Sequence, residues 1–283
     1  MGTLYVVATP IGNRQDISSR AIEILESCDL ILCEDTRNSS NLLNLLSIKN
    51  KLVSYHKFNE EERTIEIIKL LKENKNISLI TDAGTPCISD PGSILVNKCI
   101  SEGIDVYPIP GASAVISALS VSGLTISNFA FYGFLERKKN KIQEHLKKIN
   151  DNDIEIVVFY ESPKRIIDTL NNIKEVMNNP YIIVLNDLTK KFERKYYGNT
   201  SDVINNLLNN KNYELGEYVI IVSKNKKEIK KDDSLSPEAI LIDIIVKEKC
   251  TLKDAVNIAS NNKLYSKNEY YNASIKLKDI LNR

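Results

Sequence analysis

The sequence predicts two α/β domains, the first built on a mainly parallel sheet and the second on a mixed sheet, followed by a small helical module. Three observations carry that prediction. Over residues 1–120, short β-branched runs alternate with amphipathic stretches, the pattern of parallel strands joined by crossover helices. Past Gly123 the strands lengthen and fewer helices separate them, which favours mixed or antiparallel pairing over residues 121–223. Beyond that the chain becomes first polar and then helical.

In the first domain the strands fall at residues 4–8, 30–33, 52–55, 77–80 and 106–108. Between them Ile17, Ala21, Ile22 and Leu25 recur at helical spacing, as do Ile65, Ile68 and Leu71, and less cleanly Ile94, Lys98 and Ile100. The second domain has strands at 129–134, 154–160, 181–185, 194–197 and 217–223, with helices at 138–150, 163–177 and 201–209. Residues 224–236 form a polar linker. Ser236-Pro237-Glu238 supplies an N-cap followed by proline at the first helical position, so a helix runs from there to about Glu248. Two more helices, at 251–261 and 266–280, complete a helix-turn-helix-like module over 237–283.

Of the 283 residues 42% are apolar and 27% charged, enough for two packed domains. No run of about 18 apolar residues occurs, and Leu4-Tyr5-Val6-Val7-Ala8 begins without a charged leader. Neither a membrane span nor a secretory signal is expected, and the cytoplasm is the expected location. The five cysteines form no CxxC pair and only His56 and His145 are available to join them, so neither a disulfide framework nor a metal site is expected. Charge is near balance overall, but residues 224–283 hold 13 Lys+Arg against 9 Asp+Glu. A second cluster, Arg137, Lys138, Lys139 and Lys141, sits mid-chain. Such runs are either solvated faces or sites of phosphate neutralisation.

Three segments are rich in residues that shape backbone: 8–13 (ATPIGN), 81–92 (TDAGTPCISDPG) and 108–114 (PIPGASA). Glycine permits tight turns and close approach, and proline narrows the choice of loop conformation. All three follow strands of the first sheet, whose carboxyl edge is where open α/β sheets bind ligands, so together they wall a pocket for a flat polar molecule. Neither G-x-G-x-x-G after the first strand nor G-x-x-x-x-G-K-[ST] occurs, which removes the usual support for a dinucleotide or a nucleoside triphosphate.

These strings, together with Glu34-Asp35-Thr36-Arg37, PIPGASAVISALSVSGL at 108–124, FYGFLERK at 131–138 and Glu161-Ser162-Pro163-Lys164-Arg165, resemble the small-subunit rRNA methyltransferase I group, a branch of the tetrapyrrole methylase-like enzymes. The resemblance runs in order from residue 2 to about 223, and the tail resembles the helical module that ends this branch. It implies an S-adenosylmethionine-dependent enzyme that methylates the 2′-hydroxyl of a cytidine ribose in the decoding region of 16S rRNA, acts on the assembled small subunit and forms a homodimer. The cofactor would lie in a cleft between the two α/β domains. Its contacts, carried over by motif, would be Pro10, then Ala83, Gly84, Thr85 and Ile88, then Ser113 and Ala114, with Tyr160, Glu161 and Leu188 from the second domain. The chain departs from the pattern at Cys87 and Glu136, where relatives carry Gly and Pro.

Methyl transfer from a sulfonium needs no metal, and positioning supplies much of the rate. A ribose hydroxyl is a weak nucleophile, so a base helps. Asp35 is expected to orient or deprotonate it and Arg37 to bind a flanking phosphate. The resemblance to tetrapyrrole-acting relatives, in which a Lys near this position serves as base, implies Lys57 as a further catalytic candidate, matched by spacing rather than by a motif. The competing reading of Glu34 to Arg37 is a helix cap with an ion pair. RNA phosphates are expected at Arg37, Arg137, Lys138, Lys139, Lys164 and Arg165. His56 reads as a packing or hydrogen-bonding residue, and Tyr132 with Phe134 as sheet packing. Two rival functions stay open: the same fold and cofactor acting on a tetrapyrrole or a modified protein residue, and a non-catalytic ribosome assembly factor.

Overall fold

The computed structural model describes residues 1–224, 236–261, 265 and 267–281. The first sheet is entirely parallel. Its elements run β1 (Leu4–Val7), α1 (Ser19–Ser27), β2 (Leu30–Cys33), α2 (Thr36–Leu45), β3 (Leu52–Ser54), α3 (Glu60–Lys72), β4 (Ile77–Leu79), α4 (Ser93–Ser101), β5 (Val106–Ile109) and α5 (Ala114–Ser120), and the strands lie in the order β3-β2-β4-β1-β5. Alternation along β2 divides the core, as a period of two requires. Leu30 and Leu32 join Ile67 and Leu71 of α3 and Leu95 and Cys99 of α4, whereas Ile31 and Cys33 join Ala21 and Leu25 of α1 and Leu43 of α2.

The parallel strands come out as the sequence predicts, but two helical faces do not. In α3 the buried residues are Thr64, Ile67, Ile68 and Leu71, and Ile65 points outward. In α4 Leu95 and Cys99 are buried, while Ile94 and Ile100 are exposed. Both helices carry apolar residues around more than one face, so periodicity alone does not set their rotation. The sequence pattern predicts neither α2 nor α5. The Asn- and Ser-rich α2 has weak intrinsic propensity and starts from a cap, and α5 follows directly on a Pro/Gly loop.

The second sheet is mixed. It comprises β6 (Ala130–Phe134), α6 (Lys139–Asn150), β7 (Ile156–Glu161), α7 (Ile166–Val176), β8 (Tyr181–Asn186), β9 (Arg194–Asn199), α8 (Thr200–Leu208) and β10 (Tyr218–Ser223), with strand order β6-β7-β10-β8-β9. Only β6 and β7 are parallel. One face packs on α6, α7 and α8; the other buries Val158, Ile183, Val219 and Ile221 against Val115, Ala118 and Leu119 of α5 and against Ile11. The expected boundary at residue 120 therefore follows a helix whose apolar face belongs to the second sheet.

Residues Met1–Lys226 form one compact unit and Lys227–Arg283 another. The second unit contains α9 (Pro237–Glu248), α10 (Leu252–Asn261) and α11 (Lys267–Leu281) around Leu241, Ala255, Ala259, Tyr270 and Ala273. Ser236 caps α9 by accepting from the Ala239 N–H at 3.2 Å, with Pro237 in the first turn. Most of the expected linker, residues 225–235, lies outside the described residues. Among the described residues no helix is long and apolar enough to cross a membrane.

Candidate functional site

The three loops after β1, β4 and β5 are knitted to one another. Thr9 and Gly84 exchange backbone hydrogen bonds, N–H to O at 2.8 and 3.1 Å, and the Thr9 hydroxyl donates to the Thr81 carbonyl at 3.0 Å. The Thr85 hydroxyl donates to the Ala112 carbonyl at 3.1 Å. Gly111 closes the set, because a Cβ there would lie 2.9 Å from that of Ala8. A fourth loop, from the second sheet, docks on the first: the Asn13 N–H donates to Thr189 Oγ1 at 3.1 Å. Gly12 makes room for it, since its Cβ would meet Lys190 Cγ at 2.5 Å and Leu188 O and Thr189 Oγ1 at 2.8 Å.

Between these loops and the end of the second sheet lies a cavity of about 400 Å³. Nine of the ten expected cofactor contacts line it: Ala83, Gly84, Thr85 and Ile88 on the second loop, Ser113 and Ala114 at the start of α5, and Tyr160, Glu161 and Leu188 from the second sheet. Pro10 does not line it; its neighbour Ile11 does. The cavity also presents Asp82, Asp90, Phe134 and Glu217, which sequence reasoning missed. Both aspartates sit inside the 81–92 segment, where acidic residues flanking the Gly/Pro core were the available signal. Phe134 and Glu217 come from strand ends that only the sheet topology brings to the cavity.

Burial, reinforced by the charge of Asp82, raises the Asp90 pKa from the ordinary carboxylate value. Glu34 is raised by burial and then by Asp90 and Asp82. Burial also pushes Tyr160 up to about 12, and its ring meets those of Phe131 and Phe134 edge-on at 4.7 and 5.7 Å between centroids. Glu161 is a fully buried carboxylate held from several sides. It accepts from the Ser162 N–H at 2.7 Å and the Thr169 hydroxyl at 2.6 Å, and it pairs with Arg165 at 3.4 Å.

None of Asp35, Arg37 and Lys57 lines the cavity. Asp35 caps α2: its carboxylate accepts from the Arg37 N–H at 2.8 Å and from the Arg37 guanidinium at 2.9 Å, and those bonds hold its pKa below the usual range. The capping and ion-pair reading is what the geometry shows. Asp35 is linked to the cavity through Asp82, which accepts from the Asp35 N–H at 3.3 Å and from the Asn38 amide at 3.0 Å. Lys57 is exposed in the turn after β3, and His56 accepts from the Phe58 N–H at 3.3 Å.

Arg137, Lys138, Lys139 and Lys164 are exposed. Arg165 is spent within the fold, donating to the Leu135 and Glu136 carbonyls at 2.9 and 2.8 Å besides its contact with Glu161. Cys87 adopts φ +69°, a left-handed conformation that glycine takes freely, so the side chain there carries backbone strain. Burial pushes its thiol up to about 11, leaving it protonated and unreactive near neutral pH. All five cysteines are free, and among the described residues no cluster of three metal-ligating side chains occurs.

Residues 3–204 match the family described as Tetrapyrrole (Corrin/Porphyrin) Methylases. The chain is 42% identical over 272 residues, 95% of each protein, to the ribosomal RNA small subunit methyltransferase I of Haemophilus influenzae. It is 43% identical over 225 residues to the protein of that name from Thermotoga maritima, covering 79% of this chain and 99% of the relative. Among solved structures, uroporphyrin-III C-methyltransferase from Thermus thermophilus, complexed with S-adenosylhomocysteine, superposes with a TM-score of 0.54 at 15% identity, covering 78% of this chain and 97% of the other. At that identity the likeness concerns the fold.

Proposed function

The chain belongs to the tetrapyrrole (corrin/porphyrin) methylases and, within them, to the ribosomal RNA small subunit methyltransferase I group, and on that premise we propose that it methylates the 2′-hydroxyl of a cytidine ribose in the decoding region of 16S rRNA. Its methyl donor is S-adenosylmethionine. The cavity suits that molecule: Asp82 and Asp90 present carboxylates to a cation, Tyr160 and Phe134 offer rings to a flat base, and Ile11, Ile88, Leu188 and Val219 supply apolar wall. When bound, the donor supplies a methyl group on a sulfonium that is already an activated leaving group. The nine expected contacts that line the cavity hold it, with Ile11 in the place expected of Pro10.

The remaining chemistry belongs to the chain's own side chains. Asp90 accepts the proton of the ribose hydroxyl, because burial makes it a stronger base than a solvated carboxylate. Asp35 acts as a positioning residue. It holds Arg37, whose side chain is 88% exposed, ready for a flanking phosphate, and its N–H steadies Asp82. Glu161 keeps the Tyr160–Pro163 wall in place through its buried hydrogen bonds. The acceptor is presented on the assembled small subunit in the cytoplasm, and two copies of the chain act together.

The observation that supports the reading most directly is one cavity formed by Pro/Gly loops of the first sheet and strand ends of the second, with two carboxylates facing it. The test combines the protein, donor labelled in its methyl group, and small subunits lacking the modification. Label on one cytidine 2′-oxygen is expected. Label on a base, on a protein residue or on an added tetrapyrrole, or no transfer, overturns the proposal.

A further inference from the structure

The second sheet carries a cationic loop at the cavity end of each edge strand. Phe134, Tyr160 and Glu161, Tyr218, Asn186 and Arg194 lie in register across that end, so the two edges, β6 and β9, stand about 19 Å apart at the usual strand spacing. Beyond β6 come Arg137, Lys138 and Lys139. Leading into β9 and taking in its first two residues is a run no motif singled out: Lys190, Lys191, Phe192, Glu193, Arg194 and Lys195.

Within that run the charges sort themselves. Lys190 is neutralised by Asp187 at 2.8 Å and Glu217 at 2.9 Å, and Lys195 by Glu193 at 2.9 Å. Lys191 and Arg194 make no ion pair among the described residues. The Lys191 ammonium sits 5.4 Å from the centroid of the Phe192 ring, which is 69% exposed. A cation above an exposed ring, with a second uncompensated cation beside it, is the set that stacks a base and neutralises its phosphate.

The loop is also pre-shaped. Asp187 and Thr189 hold left-handed φ values of +53° and +65°, unusual for a β-branched residue, and they persist because the surroundings over-determine them. The Thr189 N–H donates to Glu193 at 2.7 Å, and its hydroxyl accepts from Asn13. Leu188, between the two strained residues, is cavity wall, so the loop begins where the cavity ends.

We propose that the 190–195 loop is a second RNA-contact surface, with Phe192 stacking on an unpaired base and Lys191 and Arg194 meeting phosphates, so that a single strand also held by Arg137–Lys139 spans the cavity mouth. This rests on the rRNA reading above. The test compares Phe192→Ala, Phe192→Trp and Lys191→Ala in the full chain. Affinity for unmodified small subunits is measured across salt concentrations with S-adenosylhomocysteine present, together with methylation kinetics, donor affinity and oligomeric state.

Phe192→Ala should weaken subunit binding by about 5- to 100-fold, and Phe192→Trp should restore it to within about twofold. Lys191→Ala should reduce the slope of log affinity against log salt by about one. Donor affinity should stay unchanged. Variants that bind subunits like the parent overturn the inference, as do variants that lose only donor affinity or only self-association. If the parent methylates subunits and the variants match it, this inference alone fails. If the parent neither binds nor methylates them, the rRNA reading fails and this goes with it.

Discussion

Asp90 shows how one residue's environment sets both its cost and its use. Burial and the neighbouring Asp82 raise its pKa in the fold, so the native state holds its proton to higher pH than the unfolded chain does. The contribution to stability is therefore fully present below the unfolded pKa and is lost as pH rises through the folded one. Asp90→Asn, which cannot ionise, should melt above wild type at pH 7–8, and the difference should vanish in acid where both side chains are neutral. Paired thermal melts read it. The same variant should lose about 10²-fold or more in kcat at saturating donor if Asp90 takes the hydroxyl proton, and it should also bind the donor more weakly, since a carboxylate facing the donor's cation is lost. A variant that turns over normally shifts the proton to another group. Asp35 gives the contrast at this scale: the residue was legible as a candidate, but whether it faces the cavity or caps a helix is a matter of where α2 begins.

Loops and caps decide matters one level up. Removing the α2 cap with Asp35→Ala should cost about 0.5–2 kcal/mol in denaturant unfolding. Because Arg37 then loses its tether, KM for small subunits should rise while kcat holds. A collapse of kcat with KM unchanged would instead make Asp35 part of the chemistry. Gly12→Ala probes the contact between the first loop and the Leu188–Lys190 segment. The added Cβ must displace backbone of the facing loop, so stability should fall by about 1–3 kcal/mol and donor affinity should fall with it, as calorimetry will show. Strand positions were readable because β-branched runs are short and bounded by turn residues. The rotation of α3 and α4 was not, because Ile65, Ile94 and Ile100 are apolar yet face outward.

For the whole molecule, the decisive feature is that every cavity residue lies between Ile11 and Val219, inside the first compact unit. A chain ending at Lys224 should therefore bind the methyl donor as tightly as the full chain, and titration calorimetry on the two proteins checks it. If the shortened protein folds but binds no donor, the cavity needs groups from beyond it. The two sheets are joined within the first unit by α5 and Ile11, which bury Val115, Ala118, Leu119 and Ile11 on the second sheet. At roughly 1.5–3 kcal/mol per large apolar side chain, that burial stabilises the shared core and keeps both walls of the cavity in register.

The resemblance to a known family supplied nine of the residues that line the cavity; the sequence by itself determined the strand order along the chain, the three Pro/Gly loops and the capped start of α9. These are local properties: β-branched runs, turn chemistry and caps act over a few residues and survive without knowledge of neighbours. Only the tertiary structure decided that Asp82, Asp90 and Phe134 face the cavity, that Asp35 and Arg37 bind each other beside it, that Arg165 ties down the 135–136 backbone, and that the 190–195 loop stands opposite the 137–139 cluster. Those relations depend on sheet order and on burial, which couple residues far apart in the chain and leave no periodic trace in it.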